Sequence, residues 1–437
     1  MKALPPDAAA PGTARATTAI NRRKLLTLTG AAIAGLALPG CSPAKADSIT
    51  TIRLQQGKPE VVDYFNTLIR DFEAKNPDIR VVQDFNGGNW VPGLIRDNPA
   101  DVLTNAYSVT TADFTKKGIF ADLSDLPAAA NADPKALELI NSFGRYKDTE
   151  LSALPFSLAA AGVIYNKDLF TKHAVAVPAT WSEFVAACQT FAAAGLTPVY
   201  GTFKDSWTLG QPYGYVTGGT VDLADFFSRM PSTAQDLKTG QDVSFAMDFK
   251  PATEKFLQIL GFTQKDAGSR GYTDGNAAFA KGDSAMYMQG PWALSELTTI
   301  NPALSLGTFA LPCSEDPAQT QAQATLDMTI SIARSTPRME AAKRFVSYLM
   351  EPSVVNAYNK KFSAFSPLKG AEPTTNPQIA GLQPLISDGK YYLNMTNYFP
   401  PAITYNNYFQ TLALNRNTDA FLTTLDDAWH RVASRNA

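Results

Sequence analysis

Trp292 is the residue in this chain best placed to hold a ligand, because it follows Gly290-Pro291, where a small and a rigid residue leave room for close approach. An indole offers a flat apolar face at low conformational cost, since only two side-chain torsions must be fixed. The competing reading is a core tryptophan packed on the helix that follows. Elsewhere in the chain are side chains that both donate and accept hydrogen bonds: Gln289 beside Gly290, Gln55 and Gln56, Asn86 near Trp90, and Asn105 with Tyr107. Amide groups of this kind, with Asp as a double acceptor, match a neutral ligand covered in hydroxyls.

Catalytic signatures are missing. Histidine occurs twice, at His173 and His430, too far apart for a zinc-binding HExxH. The chain has no G-x-S-x-G, no P-loop, no G-x-G-x-x-G and no C-x-x-C. Carboxylates are plentiful, but no pair stands out as a general acid and base. Neither a metal nor a cofactor is expected. Lys and Arg total 38 against 40 Asp and Glu, a formal net charge of -2 without blocks of one sign, so nothing points to nucleic acid.

The elements that must position these residues alternate between strand and helix. Ile52 and Leu54 alternate with polar neighbours as a strand does; Val61, Phe65, Leu68, Ile69 and Phe72 then share one helical face. Asn76-Pro77 ends that helix. Ile79 to Val82 and Asp101 to Leu103 make two further strands, and Val163 to Tyr165 and Val199-Tyr200 two more. Thr180-Trp181-Ser182-Glu183 has the form of a capping box, Gly195 closes its helix, and Thr336-Pro337 opens a helix that ends near Glu351-Pro352. Such alternation implies a sheet with parallel strands. Ligands of open α/β sheets sit outside the carboxyl ends of strands. Gln55, Asn86, Trp90, Asn105 and Tyr107 all lie there, although each could equally be an ordinary turn residue.

The 437-residue length fits two domains, and 45% hydrophobic with 18% charged residues fits a soluble body. The N-terminus reads as an address. Asn21-Arg22-Arg23-Lys24 precedes the apolar stretch Leu25 to Leu38, then Pro39-Gly40-Cys41. That stretch is shorter than the roughly 20 residues of a membrane span and reads as an export signal. The arginine pair resembles a twin-arginine motif, and Leu38 to Cys41 resembles a lipobox in which Cys41 takes the lipid. Residues 1–40 are the expected signal peptide and 41–48 a tether. Anchoring at the outer face of the cell membrane follows. Cys188 and Cys313 are expected to be buried free thiols.

Six blocks, in order, resemble the sugar-binding family 1 of extracellular solute-binding proteins. They are Phe72 to Ile79, Pro99 to Val102 with Gly118 to Leu123, Val163 to Phe170, Pro178 to Glu183, Phe279 to Met286 with Gly290-Pro291-Trp292, and Ala341 to Leu349. The resemblance covers roughly residues 49 to 437. It implies an α/β, two-lobed periplasmic-binding-protein-like fold of type II. The first lobe is expected at 49–158 plus 327–368, the second at 159–326 plus 369–437, with ligand in the cleft between them. Hinge crossings are expected near Phe156 to Ala160, near Leu326-Asp327 and near Pro367 to Gly370.

The resemblance also implies a ligand role for Trp207, which follows Lys204-Asp205-Ser206, and for a ring near Tyr398. Asp327 at the hinge and Phe365 complete the expected set, with hinge or core packing as the alternative for each. The implied function is capture of a sugar or polyol by a monomeric lipoprotein that delivers it to the permease of an ABC importer, a non-catalytic role. An exported glycoside-processing enzyme and a sensor not coupled to import are the alternatives.

Overall fold

The computed structural model describes residues 49–96, 98–239 and 242–436. The expected signal peptide, tether and lipidated Cys41 lie outside them. Two sheets organise the chain. The first contains β1 (Thr50–Gln56), β2 (Ile79–Asp84), β3 (Val102–Asn105), β4 (Leu154–Ala161), β9 (Ala322–Ile332) and β10 (Tyr391–Leu393). Its order is β10-β9-β3-β1-β2, with β4 on the other edge of β9. β1 runs parallel to both β2 and β3, as alternating strands and helices require. The second sheet has the order β6-β7-β5-β8, formed by β5 (Val163–Asn166), β6 (Thr197–Val199), β7 (Ser284–Tyr287) and β8 (Leu306–Phe309).

Local sequence accounts for the helices. In Val62–Lys75, Phe65, Leu68, Ile69 and Phe72 are the buried stripe, and Phe72 meets Phe345 edge to face at 5.0 Å. Thr180 caps Trp181–Ala193, its hydroxyl accepting from Glu183 N at 3.2 Å, while the Glu183 carboxylate reaches back to Ala179 N at 2.7 Å. Gly195 then takes φ +77°, the left-handed geometry that costs glycine least. One boundary differs from the sequence expectation. The helix read from Thr336-Pro337 begins at Met339, because Thr336 and Arg338 are drawn to the buried Asp101 carboxylate in a turn.

β4 and β9 carry the chain between the two sheets. Ser157 pairs with Met328 and Leu158 with Leu326, so Asp327 has no partner across the ladder. An extra residue of this kind bends its strand and re-aims its side chain. Leu158 also exchanges backbone hydrogen bonds with Phe365, at 3.0 and 2.8 Å. Three chain passages therefore meet at Leu158, Leu326 and Phe365.

Two large cores form, and the second takes in residues of β4, β9 and β10 from the first sheet. Phe65, Phe72, Phe156, Phe345 and Tyr358 belong to the first core, and Phe184, Phe191, Tyr213, Phe256 and Phe309 to the second. The second core also takes in Tyr107 and one face of the helix Pro134–Ser142. Burying an aromatic ring of this size is worth several kcal/mol, so Phe345→Ala would cost about 3–5 kcal/mol.

Candidate functional site

Trp207 and Trp292 are each 43% exposed, unusual for the most apolar large side chain, and their ring centroids lie 6.3 Å apart. Tyr272 extends the platform, 5.0 Å from Trp207 at an interplanar angle of 56°. Three local features hold it. The Asp205 carboxylate accepts from Tyr272 N at 2.7 Å, fixing the start of the helix Tyr272–Lys281 against the turn that carries Trp207. Gly271 permits that approach, since a Cβ there would meet Asp205 Oδ2 at 2.7 Å. Gly290 lets the indole of Trp292 fold back over the chain. Burial pushes the Tyr272 hydroxyl up to about 12, so it is neutral at ordinary pH.

Polar groups lie close in sequence to the rings. Gln289 is 3% exposed, and its Oε1 has no hydrogen-bond partner among the described residues. Tyr215 holds this loop by sharing its hydroxyl between Gly162 O at 3.1 Å and Gln289 O at 3.0 Å. Next to Trp207, Ser206 opens into a concavity of about 490 Å³ shared with Phe399, Thr404, Tyr405, Asn406 and Asn407. Gln410 ties this wall to the tryptophan segment, donating to Phe203 O at 2.7 Å and Lys204 O at 3.0 Å. Tyr272, Asn406 and Asn407 were not singled out from sequence; the expectation of a ring near Tyr398 was the signal for the segment that carries Tyr405, Asn406 and Asn407.

Further polar groups lie at the strand ends of the first sheet. Asn105 is half-buried at the end of β3, with its backbone oxygen accepting from Thr329 Oγ1 at 3.0 Å and its amide side chain free among the described residues. Lys58, just after β1, reaches Asp327 on β9 at 2.5 Å. Gly57 and Gly87 touch where the loops after β1 and β2 meet, a Cβ on Gly57 lying 2.8 Å from Gly87 Cα. Ala159 and Thr325, paired across β4 and β9, are both half-buried. Gln323, two residues before Thr325, donates to Gln211 at 2.6 Å, one turn after Trp207.

Other residues expected at a ligand surface have different surroundings. Gln55 is 3% exposed and spends its amide on Asp84 O and Asn86 O, at 3.2 and 3.0 Å, so it braces two loops. Asn86 is exposed, but its Oδ1 accepts from Gly88 N at 3.0 Å as a turn would require. Trp90 packs on Phe114 at 5.8 Å. Tyr107, Phe365 and Tyr398 are interior. Tyr107 is fully buried with its hydroxyl 3.3 Å from Thr115 Oγ1, and Phe365 is 3% exposed at the meeting with Leu158. Tyr398 is sandwiched between Phe143 at 4.9 Å and Phe227 at 4.7 Å. Both faces of that ring are covered by protein, and sequence adjacency to a strand end does not reveal which way a ring turns. Cys188 and Cys313 are free and buried. No cluster of potential metal ligands occurs among the described residues.

The family model described as bacterial extracellular solute-binding protein matches residues 58–356. The multiple sugar-binding protein of Streptococcus mutans is 25% identical over 84% of this chain and 87% of its own length. The melibiose/raffinose/stachyose-binding protein MelE of Bacillus subtilis is 21% identical, covering 73% and 75%. Among solved structures, the apo form of RafE from Streptococcus pneumoniae superposes with a TM-score of 0.77 at 22% identity, covering 88% of this chain and 98% of that one. That likeness establishes the type II solute-binding fold.

Proposed function

The chain belongs to the bacterial extracellular solute-binding proteins, and from that premise we propose that it captures a neutral saccharide in the cleft between its sheets for an ABC importer. The observation that carries the reading is the half-exposed pair Trp207 and Trp292, held ring beside ring with the unpartnered Gln289 Oε1 close in sequence. Stacking faces plus amides that donate and accept are what a hydroxylated ring with apolar C–H patches requires. The relatives named above bind, by their own names, multiple sugars and the galactoside series melibiose, raffinose and stachyose.

In this reading Trp207, Trp292 and Gln289 grip the ligand from the second lobe, with Ser206, Tyr405, Asn406 and Asn407 extending the groove. Asn105 and Asp327 meet it from the first. The lobes are 49–158 plus 327–368 and 159–326 plus 369–437, and the chain passages at Leu158, Leu326 and Phe365 form the hinge. Ligand shifts the population toward closure only by its preference for the closed form, so contacts from both lobes are needed. Cys41 carries the lipid anchor after export, the protein acts as a monomer, and no bond in the ligand is made or broken.

A thermal-shift screen with galactose, melibiose, raffinose and stachyose tests the assignment, because a ligand of the folded state raises its melting temperature. A rise with at least one of them, confirmed by calorimetry at one site per chain, is the expected result. No response to any neutral saccharide would overturn it.

A further inference from the structure

We propose that the Lys58–Asp327 ion pair sets the charge class of the ligand, admitting neutral saccharides and excluding acidic and amino sugars. This inference rests on the saccharide reading of the cleft given above. Three observations carry it.

Asp327 is the one residue skipped between the pairs Ser157–Met328 and Leu158–Leu326, so the ladder itself turns its carboxylate out of register. Lys58 is fixed at its base. Gln56, fully buried, holds the Lys58 backbone from both sides, accepting from its N–H and donating to its carbonyl at 3.0 Å. The backbones of Gly57 and Gly87 approach closely beside it. Third, the two charged ends meet at 2.5 Å while keeping 31% and 28% of their side-chain surface open.

A half-open ion pair contributes little to stability, so the geometry that enforces it points to recognition. As a unit the pair presents two acceptor oxygens and an ammonium donor with no net charge. Sugar hydroxyls can bond to both ends. When closure removes water, an added carboxylate on the ligand would meet a Lys58 already neutralised by Asp327, and an added ammonium an Asp327 already neutralised by Lys58. In either case the compensating partner is already engaged, so the desolvated charge goes unpaired. The neighbouring Glu60 lies 3.7 Å from Lys58 but is 59% exposed, where solvent screens it.

The test compares wild type with Asp327→Asn, Lys58→Met and the double variant, titrated by tryptophan fluorescence. Raffinose is the neutral probe, digalacturonate the anionic one and the glucosamine dimer the cationic one. Wild type is expected to answer to raffinose alone. Asp327→Asn leaves the ammonium unpaired and should tighten digalacturonate at least fivefold while weakening raffinose. Lys58→Met should do the same for the glucosamine dimer, and the double variant should lose both gains. Circular dichroism melts establish that each variant is folded; a variant that does not fold is replaced by Asp327→Ser or Lys58→Gln. An unchanged order of preference across all four proteins overturns the inference while leaving the saccharide reading intact. A folded wild type that responds to no neutral saccharide overturns that reading and the inference with it.

Discussion

A Cβ on Gly290 would stand 2.0 Å from Cζ3 of Trp292, so the pose of the exposed indole depends on the side chain missing two residues earlier. Gly290→Ala must swing the ring away from its place beside Trp207. Ligand affinity is expected to fall at least tenfold, with little loss of fold stability. Gly261→Ala, where nothing lies within 4 Å, is the matching control and should leave binding alone. Isothermal titration of both variants separates the cases.

Trp207→Ala and Trp292→Ala remove stacking surface that is already half open to water. Each should weaken binding by about 2 kcal/mol, roughly thirtyfold, as buried aromatic anchors of interfaces do. Stability should change by no more than about 0.5 kcal/mol. A large drop in melting temperature with unchanged affinity would assign these rings to packing instead.

Asp205→Ala takes away the acceptor for Tyr272 N and loosens the turn bearing Trp207. Loss of a helix-start acceptor costs about 1 kcal/mol. Affinity should fall as well, and Asp205→Asn, which keeps an acceptor oxygen, should recover much of it. Equal affinity in all three proteins would show that the platform needs no such brace.

Cys188 and Cys313 are both buried, and burial pushes both thiols up, Cys313 to about 12. The thiolate is the reactive form. Neither should react with a disulfide reagent at pH 8 in the native protein, and both should react once it is denatured. Rapid labelling of the folded protein at either position would contradict this arrangement.

Asp122 gives the first lobe an acid-sensitive contact. Burial pushes its pKa up, but donation from Leu151 N at 3.0 Å, Ser124 N at 2.9 Å and Ser124 Oγ at 2.8 Å, together with Arg334, holds it below the ordinary value. A depressed folded value means that its stabilisation is complete above the unfolded pKa of about 3.9 and disappears as pH falls through the folded one. Asp122→Asn should therefore be less stable than wild type at pH 7, with the gap closing as pH falls below the unfolded value. Denaturant melts across that range measure it, and a gap independent of pH would exclude the carboxylate as its source.

Most of the scaffold was legible because it is written locally. The stripe Phe65, Leu68, Ile69 and Phe72, the Thr180–Glu183 cap and the turn at Gly195 each need only a few neighbouring residues. The open pose of Trp292 was legible from Gly290-Pro291, for the glycine does allow the ring its position. Burial of Tyr107 and Tyr398 was not, because it depends on Phe143, which joins them from a distant part of the chain. Tyr272 escaped notice for a similar reason: its tie to the site is Asp205, 67 residues away. Likewise the link from Lys58 to Asp327 spans 269 residues and has no short-range signal.

That long reach governs the order in which the molecule can be built. β9 runs beside β3 in the first sheet, yet it is made after the whole second sheet. A growing chain that has produced β1, β2 and β3 presents a bare strand edge until Ile332 has emerged, and pairing over such separations is slow. Early chains must therefore be guarded against sticking to one another through that edge, and a protein cut short before β9 would be left with an unfinished first lobe.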